Sequence, residues 1–113
     1  MPFSTQQSSE KTVVTVEEAR LDASQVAAFR EYMTQTIAGG GRELLLDLSQ
    51  VNFMDSSGLG AIVGVYKEIS GSGSLQLAAP QPSVNDLLNL TCMDKIFVIH
   101  NSVADALSAG SQS

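Results

Sequence analysis

The chain has 113 residues, enough for one small domain, and 43% of them are hydrophobic, as in a globular protein rather than a disordered one. The formal net charge is −6 at pH 7 and the six Lys and Arg residues are scattered. This argues against nucleic acid as a partner, because phosphate binding requires clustered cations. The one cysteine, Cys92, excludes an internal disulfide and a cysteine-based zinc cluster.

The chain also lacks the patterns of membrane and secreted proteins. No apolar run approaches the ~20 residues of a membrane-spanning helix, so direct membrane insertion is not expected. The first residues, MPFSTQQSSEK, do not combine a basic start with an apolar segment. We therefore expect no signal peptide and a cytoplasmic protein.

The first forty residues predict a strand followed by a helix. Residues 2–5 (PFST) form at most a short edge strand, whereas residues 12–16 (TVVTV) are β-branched throughout and predict a regular strand. Asp22 and Gln25 resemble a capping box at the start of the helix, and the glycines at 39–41 end it. One face of this helix is apolar at helical spacing and consists of Val26, Phe29, Met33 and Ile37.

The middle of the chain predicts a buried strand and a second helix. Residues 43–48 (ELLLDL) contain three consecutive leucines, which favours a strand buried on both faces, as in a parallel sheet. The second helix is amphipathic, and the glycines at 71 and 73 end it. Its inner face is predicted to consist of Leu59, Ile62, Val63, Tyr66 and Ile69.

The last forty residues predict two more strands and two more helices. Residues 74–79 (SLQLAA) form a short strand, and a helix begins at Pro82, a residue type favoured at the first helical position. Residues 95–100 (KIFVIH) predict a fully apolar strand, and Ser102 caps a final short helix. We expect core positions for a small set of sulfur-containing residues: Met33, Met54, Cys92 and Met93.

The order of elements is β-β-α-β-α-β-α-β-α, which predicts an α/β fold with a small, mainly parallel sheet and about four helices. The first hairpin is the antiparallel exception. Periodicity alone leaves open whether the helices cover one face of the sheet or both. We expect one domain over residues 1–113, with frayed ends at about 1–10 and 110–113.

Residues 54–60 (MDSSGLG) place two hydroxyls at the corner between a strand and the second helix. A serine hydrolase needs a base, but the one histidine, His100, lies at the end of the last predicted strand, and the segment is not the G-x-S-x-G elbow. The aspartates lack the spacing of a metal-binding loop, and no complete G-x-G-x-x-G dinucleotide motif occurs. We therefore expect no catalytic residues, metal or cofactor.

Helix capping explains part of this corner. Asp and Ser are preferred N-cap residues, so one of Asp55, Ser56 and Ser57 is expected to cap the helix. Two serines exceed what one cap requires, and Gly58 and Gly60 each lower helix stability by roughly 1 kcal/mol relative to alanine. Glycine lets a neighbouring backbone or side chain come close, which favours an exposed corner built for a partner.

The segment LDLSQVNFMDSSGLGAIVGVYKEI resembles the signature of bacterial anti-sigma factor antagonists, the single-domain members of the STAS superfamily. The resemblance is strongest over residues 44–69 and extends, in the order of elements, over about residues 13–107. Two segments depart from the family pattern: residues 19–22 are ARLD where the family usually has Gly-Glu-Leu-Asp, and residues 91–93 are TCM where it often has Ser-Gly-Leu. With Asn85 and Asp86 where basic residues are common, these departures predict a partner-binding face that differs in detail.

The resemblance implies a phosphorylation switch. In that family the serine directly after the aspartate is phosphorylated by a partner that is both an anti-sigma factor and a serine kinase, and a PP2C-type phosphatase removes the phosphate. The unphosphorylated form binds the partner and frees the sigma factor. By position, the phosphoacceptor in this chain is Ser56.

The remaining residues of the corner are expected to form the switch loop and the partner-binding surface. Asp55 caps the helix or positions the loop, Ser57 shapes the loop and takes phosphate if Ser56 is lost, and Asp22 lies nearby if the strands are neighbours. The surface also includes Gly58, Leu59 and Gly60. Two other functions stay open: a STAS-type subunit of a membrane-associated transporter or signalling complex without phosphorylation, and a small serine hydrolase.

Overall fold

The structure, a computed structural model, describes residues 2–111. Within them five strands form the main sheet and two form a small separate sheet. In chain order the strands are β1 (Phe3–Ser8), β2 (Lys11–Val16), β3 (Arg20–Leu21), β4 (Glu43–Asp47), β5 (Phe53–Met54), β6 (Ser74–Ala78) and β7 (Ile99–His100). The helices are α1 (Val26–Ala38), α2 (Ser56–Ile69), α3 (Pro82–Leu90) and α4 (Val103–Ser111).

The main sheet has the strand order β1-β2-β4-β6-β7. β1 is antiparallel to β2, and every other neighbouring pair is parallel. From β2 onward the chain crosses the sheet in one direction, so right-handed connections place α1, α2 and α3 on the same face. The predicted mixed α/β fold, mainly parallel with an antiparallel first hairpin, is confirmed.

The second face of the sheet is covered by α4. Leu44 and Leu46 belong to the large core cluster that includes buried residues of α1, α2 and α3. Leu45, which lies between them, packs instead with Val13 and with Ala106 of α4. The three consecutive leucines are therefore buried on both faces, as predicted, and helices cover both faces of the sheet.

β1 is longer than the sequence predicts. It pairs with β2 along its whole length, from Phe3 opposite Val16 to Ser8 opposite Lys11, and Phe3 is buried in the core. Its residues 6–8 are polar and gave no strand signal, because an edge strand needs little apolar surface. At the other end α4 extends to Ser111, and residues 112 and 113 lie outside the described residues.

The predicted strand over residues 95–100 is wrong for most of its length. Residues Met93–Lys95 form a short 3-10 helix, and only Ile99–His100 pairs with β6. Phe97 is buried against the ring of Tyr66, whereas Val98 is 52% exposed. An apolar run this short does not distinguish a strand from an irregular segment that inserts one large side chain into the core.

The prediction of a buried Cys92 is also wrong. Its side chain is exposed, and its backbone has a φ of +61° in the left-handed region that follows α3. Helices often end with a residue in this conformation, because its backbone N–H can then bond to a carbonyl of the last turn. The Cys92 side chain is not part of this arrangement and stays exposed. Met33 and Met54 are buried as predicted, and Met93 is partly buried against the core. None of the helices in residues 2–111 has the length and apolar character needed to cross a membrane.

Candidate functional site

The corner between β5 and α2 is held by Asp55. This residue has an extended backbone, with φ −106° and ψ −174°, and is the N-cap of α2. Its Oδ1 accepts a hydrogen bond of 3.0 Å from the Gly58 N–H, and its carbonyl accepts one of 3.0 Å from the Leu59 N–H. The predicted capping role of Asp55 is confirmed, so neither serine is needed as a cap.

Ser56 and Ser57 are the first two residues of α2, and both are exposed. Neither hydroxyl forms a hydrogen bond with another residue in the described part of the chain. His100 instead lies within hydrogen-bonding distance of Gln76, with 2.8 Å between Nε2 and Oε1. The serines therefore lack the base that a hydrolase needs in contact with its nucleophile. Within residues 2–111 there is also no group of three or more His, Cys, Asp or Glu side chains that could hold a metal.

Gly58 joins the start of α2 to the chain beside it. A Cβ at this position would lie 2.1 Å from the carbonyl oxygen of Leu21 and 3.1 Å from Cγ of Met54. The close approach predicted for Gly58 is confirmed, and the neighbour is the backbone of β3. Gly60 differs, because a Cβ there would meet nothing within 4 Å among the described residues. Leu59, 8% exposed, packs into the large core cluster and supports the corner from below.

Asp22 lies beside this corner because β3 and β5 pair in parallel. Leu21 is opposite Met54, so the next residues along the two strands are Asp22 and Asp55. The predicted proximity of Asp22 is confirmed. Its carboxylate accepts hydrogen bonds from the Ser24 N–H (3.0 Å) and the Ser24 hydroxyl (2.6 Å). These bonds and one from Arg20 lower the pKa of Asp22 below its ordinary value.

The predicted capping box of α1 is wrong. The N-cap of α1 is Gln25, without a side-chain hydrogen bond to the helix. Gln25 donates instead to Glu18 at 3.1 Å, and Asp22 closes a turn with Ser24 before the helix begins. Asp side chains favour such local turns as strongly as caps, so the residue types alone do not separate the two.

Two neighbours of the corner were not predicted. Arg20 Nε donates to Asp22 Oδ2 at 3.0 Å, and the Arg20 guanidinium carbon lies 4.2 Å from the centroid of the Phe53 ring. Phe53 is 39% exposed, a large apolar side chain three residues before Ser56. The two-residue strands that align Arg20 with Phe53 are too short to show a periodic pattern. The one sequence feature that marked this region was ARLD at residues 19–22, which differs from the usual family sequence.

The start of α3 holds the loop that leads into β5. The Gln81 amide donates to the Ser49 carbonyl and the Ser83 hydroxyl to the Asn52 carbonyl, each at 2.7 Å. The corner is thus fixed from β3 on one side and from α3 on the other. It is an exposed surface on a rigid support, suited to contact with another macromolecule.

Comparison with known proteins identifies one family. The STAS domain family model matches residues 3–106. A protein of Thermotoga maritima, described as a candidate anti-sigma factor antagonist, is 30% identical over 97 residues, which cover 84% of this chain and 86% of that protein. The crystal structure of an anti-sigma factor antagonist from Mycobacterium paratuberculosis has a TM-score of 0.86 at 25% identity, covering 95% of this chain and 91% of that chain.

The fold is also that of SpoIIAA. The unphosphorylated form of this anti-sigma factor antagonist has a TM-score of 0.81 at 21% identity, covering 98% of this chain and 97% of that chain. The phosphorylated form of SpoIIAA from Bacillus has a TM-score of 0.72 at 20% identity, covering 95% of this chain and 97% of that chain. At these identities the likeness establishes a shared fold.

Proposed function

This chain belongs to the STAS domain family, and from that membership we propose that it is a phosphorylation-switched interaction module rather than an enzyme. In its unphosphorylated form it binds and sequesters an anti-sigma factor that is also a serine kinase, and a sigma factor is released in the cytoplasm. Phosphorylation by this partner ends the complex, and a PP2C-type phosphatase restores the binding form.

Ser56 is the proposed phosphoacceptor. The observation that carries the proposal is its position: an exposed hydroxyl, free of hydrogen bonds within the described chain, at the first residue of α2 directly after the Asp55 cap. A kinase can reach such a hydroxyl without unfolding the corner. A phosphate carries about −1.5 to −2 charges at pH 7, and the N–H groups and dipole of a helix start stabilise negative charge.

The expected effect of the phosphate is at the interface and not on the fold. Asp55 and the Gly58–Leu21 contact hold the corner without help from the Ser56 hydroxyl. A partner surface docked over Ser56, by contrast, would meet new charge, bulk and bound water. Burying an unpaired charge at an interface typically costs several kcal/mol, enough to separate the complex.

The test first isolates the partner by co-purification with the unphosphorylated protein, and we expect the partner to be an anti-sigma serine kinase. Incubation with that kinase and ATP should add one phosphate, located on Ser56 by fragment mass spectrometry. Calorimetric titration should then rank affinity for the kinase as wild type close to Ser56→Ala, both tighter than Ser56→Asp, and Ser56→Asp at least as tight as phosphoprotein. A difference of tenfold corresponds to 1.4 kcal/mol and is readily resolved.

Four results would count against this proposal. Phosphate found only on Ser57, or on a remote residue such as Ser72, would move the site. Equal affinity of Ser56→Asp and Ser56→Ala would place Ser56 outside the interface and favour a STAS-type subunit that works without phosphorylation. Co-purification of a transporter subunit with the protein would favour the same alternative. Tighter binding of phosphoprotein would make it a phosphate-dependent docking module.

A further inference from the structure

We propose that Arg20 is the intrachain counter-charge for a phosphate on Ser56, and that its guanidinium moves from Asp22 to the phosphate when that serine is modified. This inference rests on the proposed function in one respect, the identity of Ser56 as the modified residue. It adds a residue that recognises the phosphate within the same chain, so the phosphorylated corner is an ordered state with its own ion pair.

The register of β3 and β5 brings the guanidinium to the right place. Arg20 is paired with Phe53 and Leu21 with Met54, so Asp22 is level with Asp55, the residue before Ser56. Arg20 Nε reaches Asp22 at 3.0 Å, and the charged group therefore lies beside the Asp55–Ser56 corner. Neighbouring strands in a sheet are about 4.8 Å apart, which is within the reach of a long, flexible arginine side chain.

The two segments are close because β3 packs directly against the start of α2. The Leu21 carbonyl lies so close to Gly58 that there is no room for even a Cβ between the two segments. Arg20 precedes Leu21 and Ser56 lies two residues before Gly58, so the guanidinium and the hydroxyl belong to two segments in direct contact.

The guanidinium is partly positioned and still has free donors. It lies over the Phe53 ring at 4.2 Å, which restricts the side chain. Its one hydrogen bond to a described residue uses Nε, and the side chain is 59% exposed. Arginine carries five N–H donors in a planar fork that matches phosphate oxygens, so the terminal nitrogens are available for a bidentate contact. Asp22 keeps its two bonds from Ser24 if Arg20 leaves.

The charges of this end of the molecule leave Arg20 as the natural counter-charge. The carboxyl ends of the parallel strands and the loops that follow them carry an acidic set, namely Glu17, Glu18, Asp22, Asp47 and Asp55. Most other basic residues lie toward the opposite end of the molecule, where the parallel strands begin and the helices end, namely Lys11, Arg42, Lys67 and Lys95. A dianionic phosphate would be repelled by the acidic set, and Arg20 offsets that repulsion at contact distance.

Arg30 provides a matched control. Its guanidinium also lies against α2, but over Gly64, eight residues beyond Ser56, which is about 12 Å along the helix. Both Arg20→Gln and Arg30→Gln remove one positive charge from an exposed side chain. Only Arg20→Gln removes the proposed contact.

The experiment installs phosphoserine at position 56 of the full chain during translation and follows the second phosphate pKa by 31P NMR. The four proteins are wild type, Arg20→Gln, Arg20→Lys and Arg30→Gln. We expect a wild-type pKa below the usual value near 6, because the cation favours the dianion. Arg20→Gln should raise the phosphate pKa by about 0.5 or more, and Arg30→Gln should raise it by less than half as much. The pKa in Arg20→Lys should lie between those of wild type and Arg20→Gln.

Equal shifts for Arg20→Gln and Arg30→Gln would overturn the proposal, since the effect would then be long-range charge alone. An unchanged pKa in Arg20→Gln would overturn it too. Because translation installs the phosphate, neither result depends on a kinase or a partner. If the phosphate pKa depends on Arg20 but no kinase modifies Ser56, the proposed function is rejected and the contact is kept. If a kinase modifies Ser56 but the phosphate pKa does not depend on Arg20, only the contact is rejected.

Discussion

The glycines of α2 have different surroundings, and this gives a test at the scale of single residues. A Cβ at Gly58 would lie 2.1 Å from a backbone oxygen, which cannot move aside cheaply, whereas one at Gly60 would have no atom of the described residues within 4 Å. We expect Gly58→Ala to destabilise the protein by about 1–3 kcal/mol, as overpacking does. Gly60→Ala should stabilise it by about 0.5–1 kcal/mol, because alanine is the better helix former. Urea unfolding of both variants measures the two effects.

Gly64→Ala is the control for this pair. Its Cβ would meet the Arg30 guanidinium at 2.4 Å, but that group ends a flexible side chain and can swing away. A gain in stability close to that of Gly60→Ala is expected. If Gly58→Ala were as stable as wild type, the contact between β3 and α2 would be loose, and the fixed corner on which both proposals depend would be lost.

Residue types alone predicted one of the two aspartate roles correctly. Asp55 and Asp22 both stand before a helix and are both followed by residues suited to caps. Asp55 caps α2, but Asp22 binds Ser24 and Arg20 and leaves α1 without a side-chain cap. The difference comes from the pairing of β3 with β5, a contact between distant parts of the chain that a local pattern does not contain.

At the scale of elements, the segment before β7 allows a test of whether it is a strand buried on both faces or an irregular segment with one buried side chain. Phe97 is 4% exposed and its ring lies 5.1 Å from that of Tyr66, while its neighbour Val98 is 52% exposed. We expect Phe97→Ala to lower the free energy of unfolding by about 3–5 kcal/mol and Val98→Ala by less than about 0.5 kcal/mol. Chemical denaturation gives both values, and comparable losses would mean a strand buried on both faces, as the sequence suggested.

Periodicity predicted the helices and the buried strands, and it failed on the two-residue strands and on most of the polar edge strand β1. The four helices and the strands β2, β4 and β6 each contain enough residues for a period of two or 3.6, or for an unbroken apolar run, to be visible. β3, β5 and β7 have two residues each, so only tertiary contacts define them. The candidate site shares this division: α2 and its cap were predictable, but the Arg20–Phe53 pair beside it was not.

At the scale of the whole molecule, the fold gathers the helix starts at one end. The parallel strands β2, β4, β6 and β7 end there, and the helices that follow begin there. The proposed switch lies at the start of α2, while the core cluster lies below it, under α1, α2 and α3. Charge can therefore change at this end without disturbing the apolar packing, which suits a module whose modified and unmodified forms share one fold.

The net charge of −6 predicts how this end meets its partner. Long-range attraction to a basic docking surface raises the association rate, and salt screens it over a Debye length of about 10 Å at 0.1 M. With the partner identified by the phosphorylation test, stopped-flow measurements from about 20 to about 300 mM NaCl should show the association rate falling at least about tenfold. The dissociation rate should change much less, because short-range contacts determine it.

Two double variants decide whether the acidic end or the total charge is responsible. Glu17→Gln with Glu18→Gln removes two negative charges from that end, whereas Glu10→Gln with Glu43→Gln removes two from the opposite one, and each pair changes the formal charge from −6 to −4. We expect the first pair to slow association at low salt and to flatten its salt dependence more than the second, because the field is strongest next to the docking surface. Equal effects would mean that net charge alone steers the encounter. An association rate that rises with salt would mean that the partner presents an acidic surface. Glu17, Glu18 and Asp55 would then repel the partner, and binding would depend on apolar contacts such as the exposed Phe53 ring.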